Sequence, residues 1–142
     1  MNLSDILVTP LKRITNAGGD VLHALKNYDI GYEGFGEVYF SWVEHGAIKA
    51  WKCHKRMTMN LIVPMGAISL VFHLRNQKNI FRTENIGEDR YVRLTVPPGI
   101  WFGFQGIAFE RSLLMNIANI THDPKEVLRK KSSEFVYNWS TQ

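Results

Sequence analysis

Gly46 and Gly66 bracket the stretch that most constrains how this chain folds. Between them, Ile48–His54 and residues 57–63 are rich in apolar and β-branched side chains and read as two strands. Lys55 and Arg56 sit at the turn between them, and Pro64-Met65-Gly66 closes the pair. A second bend follows at Pro97-Pro98-Gly99. Ahead of it residues 91–96 alternate, with Val92, Leu94 and Val96 on one face and Tyr91, Arg93 and Thr95 on the other. Further strands are predicted at Glu37–Val43 and at residues 21–25, 68–75, 80–83, 100–104 and 113–120. Residues 1–17 form an extended edge segment, where Pro10 fits better than in a central strand. Many short strands separated by regular turn signals predict an all-β sandwich or barrel.

Residues 27–36, with three glycines and two tyrosines, read as a loop of the kind that covers a site. Residues 76–79 and 84–90 are polar loops. Only the tail breaks the pattern: Asp123 can cap, Pro124 suits a first helical position, and Val127 and Leu128 fall within a short C-terminal helix.

The 142 residues suffice for one domain with its own core, taken as 1–142. The net charge of +4 is modest and its cations are dispersed, so no nucleic-acid partner is expected, whereas an anionic small ligand suits it. Arg129-Lys130-Lys131 reads as a solvated helix end. The single cysteine, Cys53, excludes an internal disulfide and suggests a reducing compartment. No leader and no long apolar run is seen, so a cytoplasmic protein with no membrane partner is expected.

The glycine and proline spacing resembles the two cupin motifs. In the first, G-x5-H-x-H-x4-E-x6-G, Lys52 stands at the first ligand His, His54 at the second and Met59 at the Glu. In the second, Phe102 stands at the His. The resemblance implies a cupin jelly-roll barrel. A transition metal needs several convergent ligands, and one His does not supply them, so no metal site and no cofactor are expected.

Strand alternation puts Ile48, Ala50, Lys52 and His54 on one side and Lys49, Trp51 and Cys53 on the other. Lys52 and His54 would then line the barrel mouth. In one reading they act there as a base or hold a phosphate. In the other, Lys52 snorkels to solvent and His54 is a hydrogen-bonded wall residue. Lys55 and Arg56 form a diphosphate patch in one reading and a solvated turn in the other. Asn60 and Asn116 are interior amides that want partners, a ligand among them. Trp101, Phe102, Phe104, Trp51, Tyr39 and Phe40 either stack on a ligand or fill the core. Cys53 has no base on its face. His23, His45, His73 and His122 read as structural or exposed.

The ordered set Thr9-Pro-Leu-Lys-Arg-Ile, Gly19-Asp20, Phe35-x-Glu-x-x-x-Ser41, Gly46-Ala-Ile-Lys-Ala-Trp and Val96-Pro-Pro-Gly-Ile-Trp-Phe-Gly-Phe104 resembles the dTDP-4-dehydrorhamnose 3,5-epimerase family. The match runs on through His122-Asp-Pro124 to the Phe135-Val-Tyr-Asn-Trp139 tail, nearly the whole chain. The resemblance implies a metal-independent epimerase or isomerase of nucleotide-linked 4-keto sugars in cell-surface polysaccharide biosynthesis, working as a homodimer paired through N-terminal strands. The departures are at the centre. Lys52 holds the place of the family's catalytic His, Lys49 that of a substrate-contacting Arg, and Asn116 falls at or beside the proton-donating Tyr. The late Asp that orients the His has no clear counterpart.

On this resemblance Lys52 or His54 is the base. Lys49, Lys55 and Arg56 hold the anionic substrate, and Asn60, Asn116 and Trp101 contact it. The alternative is a catalytically silent cupin that binds a sugar nucleotide or a partner enzyme. A metal-dependent cupin oxygenase ranks third, for want of ligands.

Overall fold

The computed structural model describes residues 1–141. Its strands are β1 (Leu7–Pro10), β2 (Arg13–Ile14), β3 (Val21–Leu22), β4 (Glu37–Val43), β5 (Ile48–His54), β6 (Met59–Met65), β7 (Ala67–His73), β8 (Phe81–Gly87), β9 (Val92–Val96), β10 (Trp101–Gly106), β11 (Ser112–Ala118) and β12 (Val127–Arg129). They build two five-stranded antiparallel sheets, ordered β1-β9-β6-β11-β4 and β12-β5-β10-β7-β8, while β2 and β3 form a separate hairpin. The inner faces meet in one apolar core, with Leu61, Leu94 and Leu114 from the first sheet against Ile68, Leu70 and Phe72 from the second. Each such fully buried side chain contributes about 1.5–3 kcal/mol. The jelly-roll expectation is borne out.

The bends fall where the sequence puts them. Gly66 and Gly99 adopt φ of 82° and 89°, left-handed values that a side chain resists. The Gly99 N–H also donates to the His54 carbonyl at 2.7 Å, tying the second bend to the end of β5.

Three expectations need correction. Residues 127–129 are not helical. They form β12, which pairs antiparallel with β5 as Val127↔His54, Leu128↔Cys53 and Arg129↔Lys52. The short C-terminal helix is instead a 3-10 turn at Trp139–Thr141. Residues 84–87, expected in a loop, extend β8 along β7.

The glycine-rich loop is the third. Its first residues, with the preceding segment from His23, pack on the outer face of the first sheet instead of over the core opening. The fully buried Arg93 donates to the carbonyls of Ala24 (2.6 Å) and Ile30 (3.1 Å). Tyr91 donates to that of His23 (2.8 Å) and Asn60 to that of Gly31 (3.0 Å). Buried carbonyls need such donors.

Candidate active site

The ladder between β5 and β10 slips at Trp51. Phe102 pairs with Lys52, but Gly103 pairs with Ala50 and Phe104 with Lys49. Directly opposed residues in an antiparallel pair project from the same face. The slip therefore reverses part of the expected alternation. Lys49 joins Lys52 and His54 on the inner face, while Ala50 turns outward with Trp51 and Cys53.

The inner face opens into a cleft of about 380 Å³. Lys52, His54, Met59 and Phe102 all line it. The positions that carry ligands in the cupin motifs thus converge here, holding one imidazole, one amine, a thioether and a phenyl ring. Leu61, Phe104 and Leu114 complete the apolar wall. Glu37, Tyr39 and Ser41 enter from β4, Asn116 from β11, and His122, Val127 and Arg129 from the segment that follows.

His54 is buried, and its ring stacks on Phe102 with centroids 5.8 Å apart. Its Nδ1 hydrogen-bonds Glu126 Oε1. Glu126 is itself buried, and its Oε2 accepts from the backbone N–H of Arg56 (3.1 Å) and Met57 (3.2 Å). Burial alone would raise the Glu126 pKa. The His54 hydrogen bond and charge and the two backbone donors outweigh it and hold the carboxyl below its ordinary range. An ionised carboxylate only accepts, so Nδ1 carries the proton and Nε2 is left as the basic nitrogen. A histidine backed by a carboxylate in a largely apolar cleft has the arrangement a general base requires.

Across the cleft, from the other sheet, Asn116 Nδ2 donates to Tyr39 Oη at 3.0 Å. The Tyr39 hydroxyl hydrogen has no acceptor among the described residues, so it is free to donate into the cleft. Asn116 Oδ1 is buried with no partner. A buried acceptor left unsatisfied is costly, and a ligand hydroxyl would satisfy it.

Lys52 has no hydrogen-bond or ion-pair partner among the described residues. Burial, then the neighbouring charges of Arg129 and Lys49, push its pKa below the usual lysine value. Lys49 Nζ donates to the Trp42 carbonyl at 3.1 Å, spanning the two sheets at the cleft's edge.

The other expected ligand-binding residues lie elsewhere. Trp101 faces outward, in a cluster with Trp51, Cys53 and Val71 that Phe135, Tyr137 and Trp139 of the tail cover. Trp101 pairs with Cys53, which puts it on the face away from the cleft, while its neighbour Phe102 pairs with Lys52 and faces in. Asn60 is spent on the protein, donating to Gly31 and accepting from Thr95 Oγ1 at 2.6 Å. Lys55 Nζ donates to the Lys125 carbonyl at 3.0 Å, and Arg56 pairs with Asp123 at 3.3 Å in an exposed bridge. Both hold the segment that delivers Glu126. Lys52, His54 and Asn116 are thus brought together with Lys49 beside them, whereas Lys55, Arg56, Asn60 and Trp101 are not. His122 is exposed, as expected, at the rim of the cleft it lines. Glu126 was missed as a site residue, and Tyr39 was read only as a ring to stack on a ligand or fill the core, not as a hydroxyl donor.

No protein-family model matches the sequence, and no curated protein does. Among solved structures, a dTDP sugar isomerase from Desulfovibrio desulfuricans G20 is 30% identical, with a TM-score of 0.90 over 96% of this chain and 92% of that one. The chain belongs to the dTDP-sugar isomerase family. Other family-related folds are more distant. The sugar 3,4-ketoisomerase QdtA from Thermoanaerobacterium thermosaccharolyticum, solved with TDP, is 18% identical with a TM-score of 0.76, covering 91% of this chain and 90% of that one. A dTDP-4-dehydrorhamnose 3,5-epimerase from Bacillus anthracis, solved with TDP and PPi, is 17% identical with a TM-score of 0.79, covering 94% and 82%. At such identities the likeness carries the fold alone. The family resemblance read from the sequence is borne out, and this dTDP-sugar isomerase homologue is nucleotide-sugar isomerase-like or epimerase-like.

Proposed function

We propose that this chain is a metal-independent enzyme that isomerises a dTDP-4-keto-6-deoxyhexose, with His54 removing the proton from the carbon beside the ketone. The observation that carries this reading is the His54–Glu126 dyad, which leaves a basic nitrogen at an apolar cleft. A proton α to a ketone needs a base held in hydrogen-bond reach and a donor for the developing oxyanion or carbanion. Tyr39, from the opposite sheet, steadies the developing oxyanion with a hydrogen bond and keeps its proton. Asn116 hydrogen-bonds a sugar hydroxyl, and Lys49 and Arg129 attract the diphosphate. Lys55 and Arg56 would act through the Glu126 segment. The 30% identity to a dTDP sugar isomerase favours isomerisation over 3,5-epimerisation.

The test is NMR in heavy water with dTDP-4-keto-6-deoxyglucose, following the C3 and C5 protons. Expected with the wild type are a 3-keto product bearing deuterium at C4 and, by reversal, deuterium at C3 of the recovered substrate, and neither with His54→Asn. Ligand line-broadening without exchange would replace this reading with the silent sugar-nucleotide binder.

One cytoplasmic cupin domain acting as a homodimer completes the proposal. The outer face of β4 and β11 carries three apolar cross-strand pairs, Val38↔Ile117, Phe40↔Met115 and Trp42↔Leu113. Phe40 is 58% exposed, more than a monomer surface ordinarily leaves on a contiguous apolar face. A self-complementary patch of this kind suits a two-fold interface. Light scattering should give a dimer, and Phe40→Glu a monomer. A monomeric wild type would remove this part.

No helix is long and apolar enough to cross a membrane among the described residues.

A further inference from the structure

We infer that Lys52 is a catalytic residue that carries a proton between the two sugar oxygens while His54 carries one between the two carbons. This rests on the isomerase reading above. Lys52 and His54 stand two apart on β5 and both project into the cleft, about 7 Å apart along the strand. A flexible amine and a fixed imidazole at that spacing can reach the oxygen side and the carbon side of the same bond.

The two groups differ in how they are held. Glu126 is committed to His54 and to two backbone N–H groups, so His54 is oriented and Lys52 has no counter-ion. Lys52 faces the groups it could serve without a carboxylate locking it in place. Burial and the flanking Arg129 and Lys49 loosen its proton, as a group that must both give and take one requires. The other titratable groups facing it are His54 on its own strand, Glu37 and Tyr39 from β4 across the cleft, and His122. β10 brings only Phe102 and Phe104 to its side.

The step balances without a co-reactant. His54 Nε2 takes the C3 proton, and the electron pair of that bond forms the C3=C4 double bond. The C4 carbonyl becomes a hydroxyl as the Lys52 ammonium gives its proton to O4. The neutral amine then takes the O3 proton. The C3 carbonyl forms, the double-bond pair moves to C4, and the imidazolium returns its proton there. The ketone has moved from C4 to C3, and both side chains are restored.

The experiment uses the whole chain with dTDP-4-keto-6-deoxyglucose, comparing turnover from pH 6 to 10 in the wild type, Lys52→Arg and Lys52→Met, with C3 deuteration read in parallel. Lys52 must enter as ammonium, so wild-type turnover is expected to fall at high pH, below the ordinary lysine pKa of about 10.4. Lys52→Arg, whose guanidinium cannot release its proton, should lose turnover as Lys52→Met does. Lys52→Met should lose roughly 100-fold in kcat with KM within about threefold. A raised KM at unchanged kcat would make Lys52 an anion holder and overturn the inference. So would Lys52→Arg turnover within a few-fold of the wild type. In either case wild-type C3 exchange leaves the isomerase reading standing, whereas its absence at every pH removes both.

Discussion

Glu126 reaches His54 from 72 residues further along the chain, and that single hydrogen bond decides which ring nitrogen faces the cleft. The carboxylate holds Nδ1 in its protonated form, so Nε2 is left as the nitrogen able to accept a proton. Glu126→Gln keeps the shape but offers an amide where a carboxylate stabilised the imidazolium. It should lower kcat by about 10²–10⁴ with KM changed only a few-fold, whereas His54→Asn should abolish C3 exchange. Steady-state kinetics on the two variants would check this. Full activity in Glu126→Gln would remove the dyad from the mechanism.

The same carboxylate sets a response to acid. Its folded pKa lies below the ordinary glutamate value, despite burial, because His54 and the Arg56 and Met57 N–H groups favour the charged form. A depressed folded pKa means stabilisation fully present above the unfolded value of about 4.3 and lost as pH falls through the lower folded value. Urea midpoints between pH 3 and 7 should therefore drop more steeply at the acid end in the wild type than in Glu126→Gln. Parallel profiles would show that Glu126 is not the group responsible.

What the sequence made legible follows from the range of the forces involved. β4 and β5 fall where alternation and β-branched or aromatic content place them, because one buried face imprints a local period of two. The convergence of Lys52, His54, Met59 and Phe102 follows from glycine and proline bends, which are local as well. Three features were not legible because they depend on pairing. Asp123-Pro124 has the chemistry of a helix start, yet the residues beyond it complete the edge of β5, and a three-residue strand has no period to read. The slip at Trp51 exists only in the register against β10, and it moved Lys49 inward and Ala50 outward. Glu126 carries no local signal at all, since its partner is distant in sequence.

Trp101 illustrates how an aromatic residue beside the site differs from one within it. Its ring packs 5.5 Å from that of Phe135, edge-on, under the C-terminal tail. Trp101→Ala should cost about 3–5 kcal/mol of stability, with dTDP affinity of the folded fraction unchanged. Denaturant unfolding and calorimetric titration would check it, and Trp101→Phe keeps the fold if alanine does not. A selective loss of dTDP affinity in Trp101→Phe would return the residue to the binding surface.

Arg93 is the clamp on the outer face of the first sheet. Its side chain is 1% exposed and its nearest acid, Asp29, is 3.6 Å away, so the guanidinium spends its strongest bonds on the carbonyls of Ala24 and Ile30. Burial pulls its pKa down and Asp29 pulls it back up, which places the charge where desolvation is most costly. Arg93→Met fills similar space but leaves both carbonyls without donors, at about 2–4 kcal/mol. Hydrogen exchange should then quicken across residues 23–31 first, with β7 and β10 protected until global unfolding. Because the clamp lies on the face opposite the cleft, kcat should stay within about twofold of the wild type. Uniform loss of protection over both sheets would mean that Arg93 supports the core itself and not the loop alone.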